Sequence, residues 1–242
     1  MPALLLIAHG SRDPRHAATV AALVEEVRAQ RPGTEVATAY LDHCAPRIPQ
    51  VVARLADAVA VPLLLNRAFH AKHDIPAALR AAGSRLPVAD VLGPSPLLLA
   101  ALDRRLAEAG LDVTSRAVRA RTGVVLAAAG SSDPAADAAT RAAAAEWRRT
   151  RGWAAVEVAY ASATGPRVPD ALAALCAAGA GRTAVAPYLL APGLLPDRIA
   201  AASAGADVVA DVLGAAPELA ALLLARHDEA RRTTPALPAL TA

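Results

Sequence analysis

Aromatic side chains, lysine and cysteine are nearly missing from this sequence, and each shortage excludes something. Phe, Trp and Tyr together make up 2% of 242 residues, and no basic run is interleaved with aromatics. The stacking platform and charged track that a nucleic-acid strand requires are therefore lacking, and the formal net charge of +3 is mild for this length. Nucleic acid is not an expected partner. Only one of the 25 basic residues is a lysine, Lys72. The two cysteines, Cys44 and Cys176, lie far apart and outside any CxxC spacing, so neither a zinc knuckle nor a redox pair is expected. Two thiolates also cannot supply the four ligands of an ordinary iron–sulfur cluster. A reducing cytoplasm is the expected setting. The apolar run in "MPALLLIAHGSRDP" is too short for a membrane span and has neither a basic leader nor a small-residue cleavage signature. It reads as a buried first strand, and no membrane partner is expected.

With 55% hydrophobic residues the chain can bury a substantial core, and its length suits one large domain or two units of about 120 residues each. Internal similarity favours the second choice. "AHGSRDP" (8–14) recurs as "AAGSSDP" (128–134), and "AYLDHCAPRIP" (39–49) recurs as "AYASATGPRVP" (159–169), both at an offset of 120. "ADVLGPSPLLLAAL" (89–102) recurs as "ADVLGAAPELAALL" (210–223) at an offset of 121. Three matches in one order at nearly one offset indicate duplication.

Short apolar runs alternate with segments of helical spacing, the pattern of a parallel sheet covered by helices. Strands are expected near 3–8, 35–41, 59–65 and 88–92, and again near 123–128, 156–161, 183–190 and 206–213. The fold expected is α/β: two similar lobes from an internal duplication, each a parallel sheet of about four strands covered by helices. Residues 1–115 form the first lobe and 120–232 the second, with "EAGLDVTSRAVRARTG" (108–123) as linker and 233–242 as a disordered tail. Asp13 or Ser11 is placed to cap a helix entered through Pro14, and Pro46, Ile75-Pro76 and Pro96 mark later helix starts.

In an open parallel sheet, ligands bind outside the carboxyl ends of the strands. That edge collects His9 after the first strand, Asp42 and His43 after the second, and His70, His73 and Asp74 after the third. The second half acts as a control. Gly10, Ser11, Asp13 and Pro14 reappear as Gly130, Ser131, Asp133 and Pro134, whereas Ala129, Ser162 and Ala163 stand where His9, Asp42 and His43 stand. The scaffold is repeated and the titratable groups are not. Plainer readings exist: His9 as a structural histidine bonded to a backbone carbonyl, His70 and His73 as ordinary loop residues, Asp74 as a helix cap, and His16 and His227 as exposed helix residues. A Ser11–His9–Asp42 triad is disfavoured because no GxSxG elbow is present and Ser131 recurs without a nearby histidine.

"HGSRDP" after the first strand, with His70, Asp74, Ile75 and Pro76 as H-x-x-x-D-I-P after the third, resembles the sirohydrochlorin chelatase (CbiX-type) family, and class II chelatases more broadly. The resemblance implies insertion of a divalent metal into sirohydrochlorin on the way to sirohaem or cobalamin, between two similar α/β lobes. It implies no organic cofactor, with Co²⁺, Fe²⁺ or Ni²⁺ as substrate. It places His9 and His70 on the family's active-site histidines as metal ligands and proton acceptors. Asp42 falls on an acid that is commonly glutamate in the family, so the carboxylate here is one methylene shorter. Ser11, Arg12, Arg67 and Lys72, with Arg15 and Arg47 nearby, are candidates for holding the substrate's carboxylates, Arg47 least so because Arg167 repeats it. Upstream and downstream tetrapyrrole enzymes are the expected protein partners, and one chain is expected to do what a single-lobed homologue does as a dimer. A metal or tetrapyrrole carrier on the same fold is the alternative, and turnover separates the two.

Overall fold

The computed structural model describes residues 2–55, 57–67, 73–162 and 165–233. The expected tail beyond Thr233 lies outside the described residues. Each half begins with a fully buried, aliphatic central strand. β1 (Ala3–Ala8) pairs in parallel with β2 (Val36–Tyr40) on one side and β3 (Ala58–Pro62) on the other. In the second half β4 (Thr122–Ala128) pairs likewise with β5 (Ala155–Tyr160) and β6 (Arg182–Pro187). The orders are β2-β1-β3 and β5-β4-β6-β7, the last strand, β7, being only Val208–Val209. The protein is thus an α/β fold of two parallel sheets.

The expected strand at 88–92 reduces to a single bridge between Ala60 and Val88. Asp90 explains the shortening: its Oδ1 accepts from the Val91 N–H at 2.7 Å, so a side chain takes a donor that a longer ladder would use. The joining segment is also more ordered than its polarity suggests. Leu111 is buried, Asp112 accepts from Thr114 N and Ser115 N, and Ser115 caps the short helix α5 (Arg116–Arg119).

Helices α1 (Pro14–Gln30) and α6 (Pro134–Arg151) follow the central strands, and each starts where the sequence indicates. Asp13 and Asp133 accept from the N–H groups of Arg15 and Ala135, and Pro14 and Pro134 occupy the first turn, where no N–H is needed. The outer face of the first sheet is covered by α2 (Ile48–Val52) and α3 (Ile75–Ala81), that of the second by α7 (Val168–Ala177) and α8 (Leu194–Ala202).

The inner faces share one core. Leu4 and Leu6 of β1 and Val124 and Leu126 of β4 belong to a single cluster with residues of α1, α6, α4 (Pro96–Glu108) and α9 (Pro217–Thr233). The last helix of each half crosses to the other: α4 packs on β6, and α9 packs on β3, α1 and α4. Among the described residues no helix is long and apolar enough to cross a membrane.

The crossing overturns the exposure expected for His227, which is wholly buried. Its Nε2 lies 3.2 Å from the Pro2 carbonyl oxygen and its Nδ1 3.3 Å from Asp228 Oδ1. The surface that covers it comes from the other end of the chain, so the helical pattern of 217–233 gives no hint of it. Arg31, at the end of α1, donates to both Asp228 oxygens at 2.7 Å and holds the carboxyl down at about 2. Because this folded-state pKa lies below the ordinary carboxylate value, the stabilisation is complete above about pH 4 and is lost as pH falls towards 2. Asp228→Asn should therefore cost about 1 kcal/mol at pH 7, allowing for partial solvent screening. Thermal unfolding of wild type and variant should differ at pH 7 and converge near pH 2.

Candidate functional site

The carboxyl ends of β1 and β2 are stitched together beyond their last paired residues. Leu41 N donates to the Ala8 carbonyl at 3.0 Å and Asp42 N to that of His9 at 2.8 Å. The two loops come so close that a Cβ at Gly10 would stand 1.8 Å from the Asp42 carbonyl oxygen, and Gly10 has φ of +93°. Gly130 repeats the arrangement against Ser162, at 2.4 Å and φ of +90°. Ser11 Oγ accepts from Asp13 N at 3.1 Å, as Ser131 does from Asp133 N at 3.0 Å. In the first half Cys44 adds a further bond, its Sγ donating to the Ser11 carbonyl at 3.0 Å. Ser11 thus serves the turn, which weighs further against a nucleophile triad.

On this platform His9 is half-buried at the strand end, its Nδ1 3.1 Å from the Gly10 carbonyl oxygen. The ring centroid of His43 lies 6.1 Å away. His43 has φ of +61°, an uncommon conformation for a residue with a side chain, and its Nε2 is 3.6 Å from Asp42 Oδ2. Asp42 turns towards Arg47, whose Nη2 donates to Oδ1 at 3.1 Å while Nη1 donates to the Leu41 carbonyl at 2.6 Å. Hydrogen bonds from the His43 backbone and the Arg47 guanidinium hold the Asp42 carboxyl below its usual range. Arg167 likewise donates to the Tyr160 carbonyl, so part of what Arg47 does belongs to the scaffold.

His16, expected to be exposed, is half-buried, with its ring 6.4 Å from that of Tyr40. Burial, and secondarily the nearby His9, push its pKa down. It lines a cavity of about 30 Å³ with Ala8, Thr19, Leu63, Leu190 and Gly214, between the halves. The repeat carried the signal that would have found it, because Ala136 stands at the equivalent place just as Ala129 stands for His9.

The candidate anion-holding residues divide. Arg12 is exposed and makes no ion pair among the described residues. Arg67 is paired with Asp90 at 2.6 Å. Arg15 bonds Asp13 and also reaches Asp197 of the second half at 2.6 Å, tying the starts of α1 and α8 together. His70 and Lys72 lie outside the described residues. Asp74 occupies the position before α3, but its side chain makes no capping bond: His73 and Asp74 wind in a wide π-type turn, and φ and ψ of −71° and −47° are already helical. A side chain caps from an extended backbone, so the expected cap is not formed. Among the described residues no three His, Cys, Asp or Glu side chains gather into a metal cage.

The family model described as CbiX matches residues 3–109 and 123–230. A sirohydrochlorin ferrochelatase of Priestia megaterium is 29% identical over 209 residues, covering 82% of this chain and 77% of that protein. A sirohydrochlorin cobaltochelatase of the same organism is 27% identical over 224 residues, covering 82% and 67%. Among solved structures, SirB from Bacillus subtilis with Fe³⁺ superposes with a TM-score of 0.78 at 24% identity, covering 94% of each chain.

Gly10→Ala tests the close approach of the two loops. A Cβ there meets backbone, not a movable side chain, so the substitution should cost at least about 3 kcal/mol in denaturant unfolding. Gly110→Ala, also at positive φ but with nothing within 4 Å, should cost less.

Proposed function

The chain belongs to the CbiX family, and we propose from this that it is a sirohydrochlorin chelatase, inserting a divalent metal into the ring for sirohaem or cobalamin. The observation that carries the reading is the placement of His9 on the strand-end edge of the half that alone has histidines there.

Insertion requires the loss of two pyrrole N–H protons, removal of most of the metal's water, and presentation of the ion to one ring face. A histidine near neutral pH accepts a proton or, when neutral, ligates Fe²⁺ or Co²⁺. His9 and His70 would serve as ligands and proton acceptors, with Asp42 contributing its carboxylate to the metal on leaving Arg47. A set of few protein ligands suits delivery, since the macrocycle must win the ion. Ser11, Arg12, Arg67 and Lys72 would hold the substrate's carboxylates, Arg67 by exchanging Asp90 for them. Iron and cobalt are the metals favoured by the relatives' activities, the metal is a substrate, and no organic cofactor is needed. Residues 1–115 would carry the chemistry and 120–232 would close the cleft. The reaction is assigned to the cytoplasm, where the free thiols Cys44 and Cys176 stay reduced and neighbouring tetrapyrrole enzymes supply the ring and take the product.

Anaerobic absorbance with sirohydrochlorin and Fe²⁺, Co²⁺ or Ni²⁺ tests the assignment. Conversion should exceed the rate without enzyme and fall by about 100-fold or more in His9→Ala and in His70→Ala. Tight ring or metal binding without acceleration would overturn the chelatase reading in favour of a carrier. An unchanged rate in His70→Ala would overturn only that residue's role.

A further inference from the structure

The two halves treat one arginine differently. On α1, Arg28 pairs with Glu25 at 2.6 Å and donates to the Val36 carbonyl at 3.3 Å. At the equivalent places 120 residues on, α6 carries Arg148 and Ala145, so the arginine recurs without its carboxylate. Among the described residues, the Arg148 guanidinium has neither an ion pair nor a hydrogen bond. Ala144 stands where Val24 fills the first half, and Trp153 stands where the first half has Gly33.

These exchanges coincide with an open groove of about 680 Å³ between α6 and the edge strand β5, a volume in the range of small-molecule sites. Val156, Val158 and Pro166 contribute apolar lining. Arg141 and Arg149 also line it, but are paired with Asp137 and Glu146. Two further lining residues, Trp153 at 3% and Tyr160 at 5% exposure, have polar atoms, Nε1 and the hydroxyl, that are buried without a hydrogen-bond partner among the described residues. Buried polar groups are nearly always satisfied, and leaving one unpaired is costly. Arg148 is exposed and brings its guanidinium to the groove, whereas the Trp153 indole N–H and the Tyr160 hydroxyl lie sealed beneath the lining with their donors unspent. Among the described residues that line it, the only carboxylate is the exposed Glu157 on β5.

We propose that this groove is a second binding site, built wholly from the second half, for a carboxylate carried on an aromatic or pyrrolic ring. The carboxylate takes the place at Arg148 that Glu25 takes at Arg28, and the ring lies against the apolar strand face. The site does not depend on the chelatase reading.

Trp153 and Trp147, with ring centroids 5.9 Å apart, are the chain's two tryptophans, so intrinsic fluorescence reports on the groove. The full chain should show a saturable fluorescence change with trimesate, a benzene tricarboxylate, and a much weaker response to inorganic phosphate. Arg148→Ala should weaken trimesate binding about tenfold or more. Ala145→Glu, at an exposed position, restores the first half's ion pair and should weaken binding as much as Arg148→Ala. No saturable change, or equal affinity in wild type, Arg148→Ala and Ala145→Glu, would overturn the site. Phosphate binding as tightly as trimesate would overturn the assignment of a ring-borne ligand.

Discussion

The backbone of the loop after the first strand passes so close to the loop after the second that only hydrogen fits on the Gly10 α-carbon. This contact fixes His9, Asp42 and the Ser11 turn relative to one another, because the same few residues supply the interstrand bonds from Leu41 and Asp42. It also fixes where α1 begins, since the Asp13 N–H donates to Ser11 Oγ in that turn and the Asp13 carboxylate in turn caps the helix. A site built here inherits its geometry from backbone packing. Side chains at its rim are then free to differ between halves without disturbing the frame.

That freedom is what the duplication displays. Both halves keep the glycine, the serine turn and the aspartate cap, and both spend an arginine on a strand-end carbonyl. Only the first half adds His9, His16, Asp42 and His43 to the frame, and only the second opens the groove beside β5. Two copies of one scaffold thus present different chemistry at different surfaces. The exchange of α4 and α9 between the sheets keeps the copies together by placing a common core between them.

Electrostatics at the strand ends is largely committed in advance. Arg15 bridges Asp13 and Asp197, Arg67 holds Asp90, and Arg47 holds Asp42. Each pair is exposed enough for a multiply charged ligand to compete for the arginine, since such surface pairs contribute little individually. Arg15 differs because it joins the two halves, so a ligand that took it would also loosen the contact between α1 and α8.

The sequence by itself determined the duplication, the alternation of buried strands and helices, the helix starts at Pro14 and Pro96, and the edge on which His9 and Asp42 lie. All of these follow from local spacing, turn chemistry and the two-fold comparison of one half with the other. It did not determine that 88–92 would pair at one residue only, that Asp74 would enter α3 already helical, or that His227 would be sealed against Pro2. Nor did it place His43 beside His9, or leave Arg148, Trp153 and Tyr160 around one groove. Apart from the helical backbone at Asp74 and the bond between Asp90 and its neighbour Val91, those outcomes join groups from separate elements, and most of them join residues far apart in the chain. Their energies depend on which surfaces meet after the helices cross between the sheets, and no local pattern encodes that meeting.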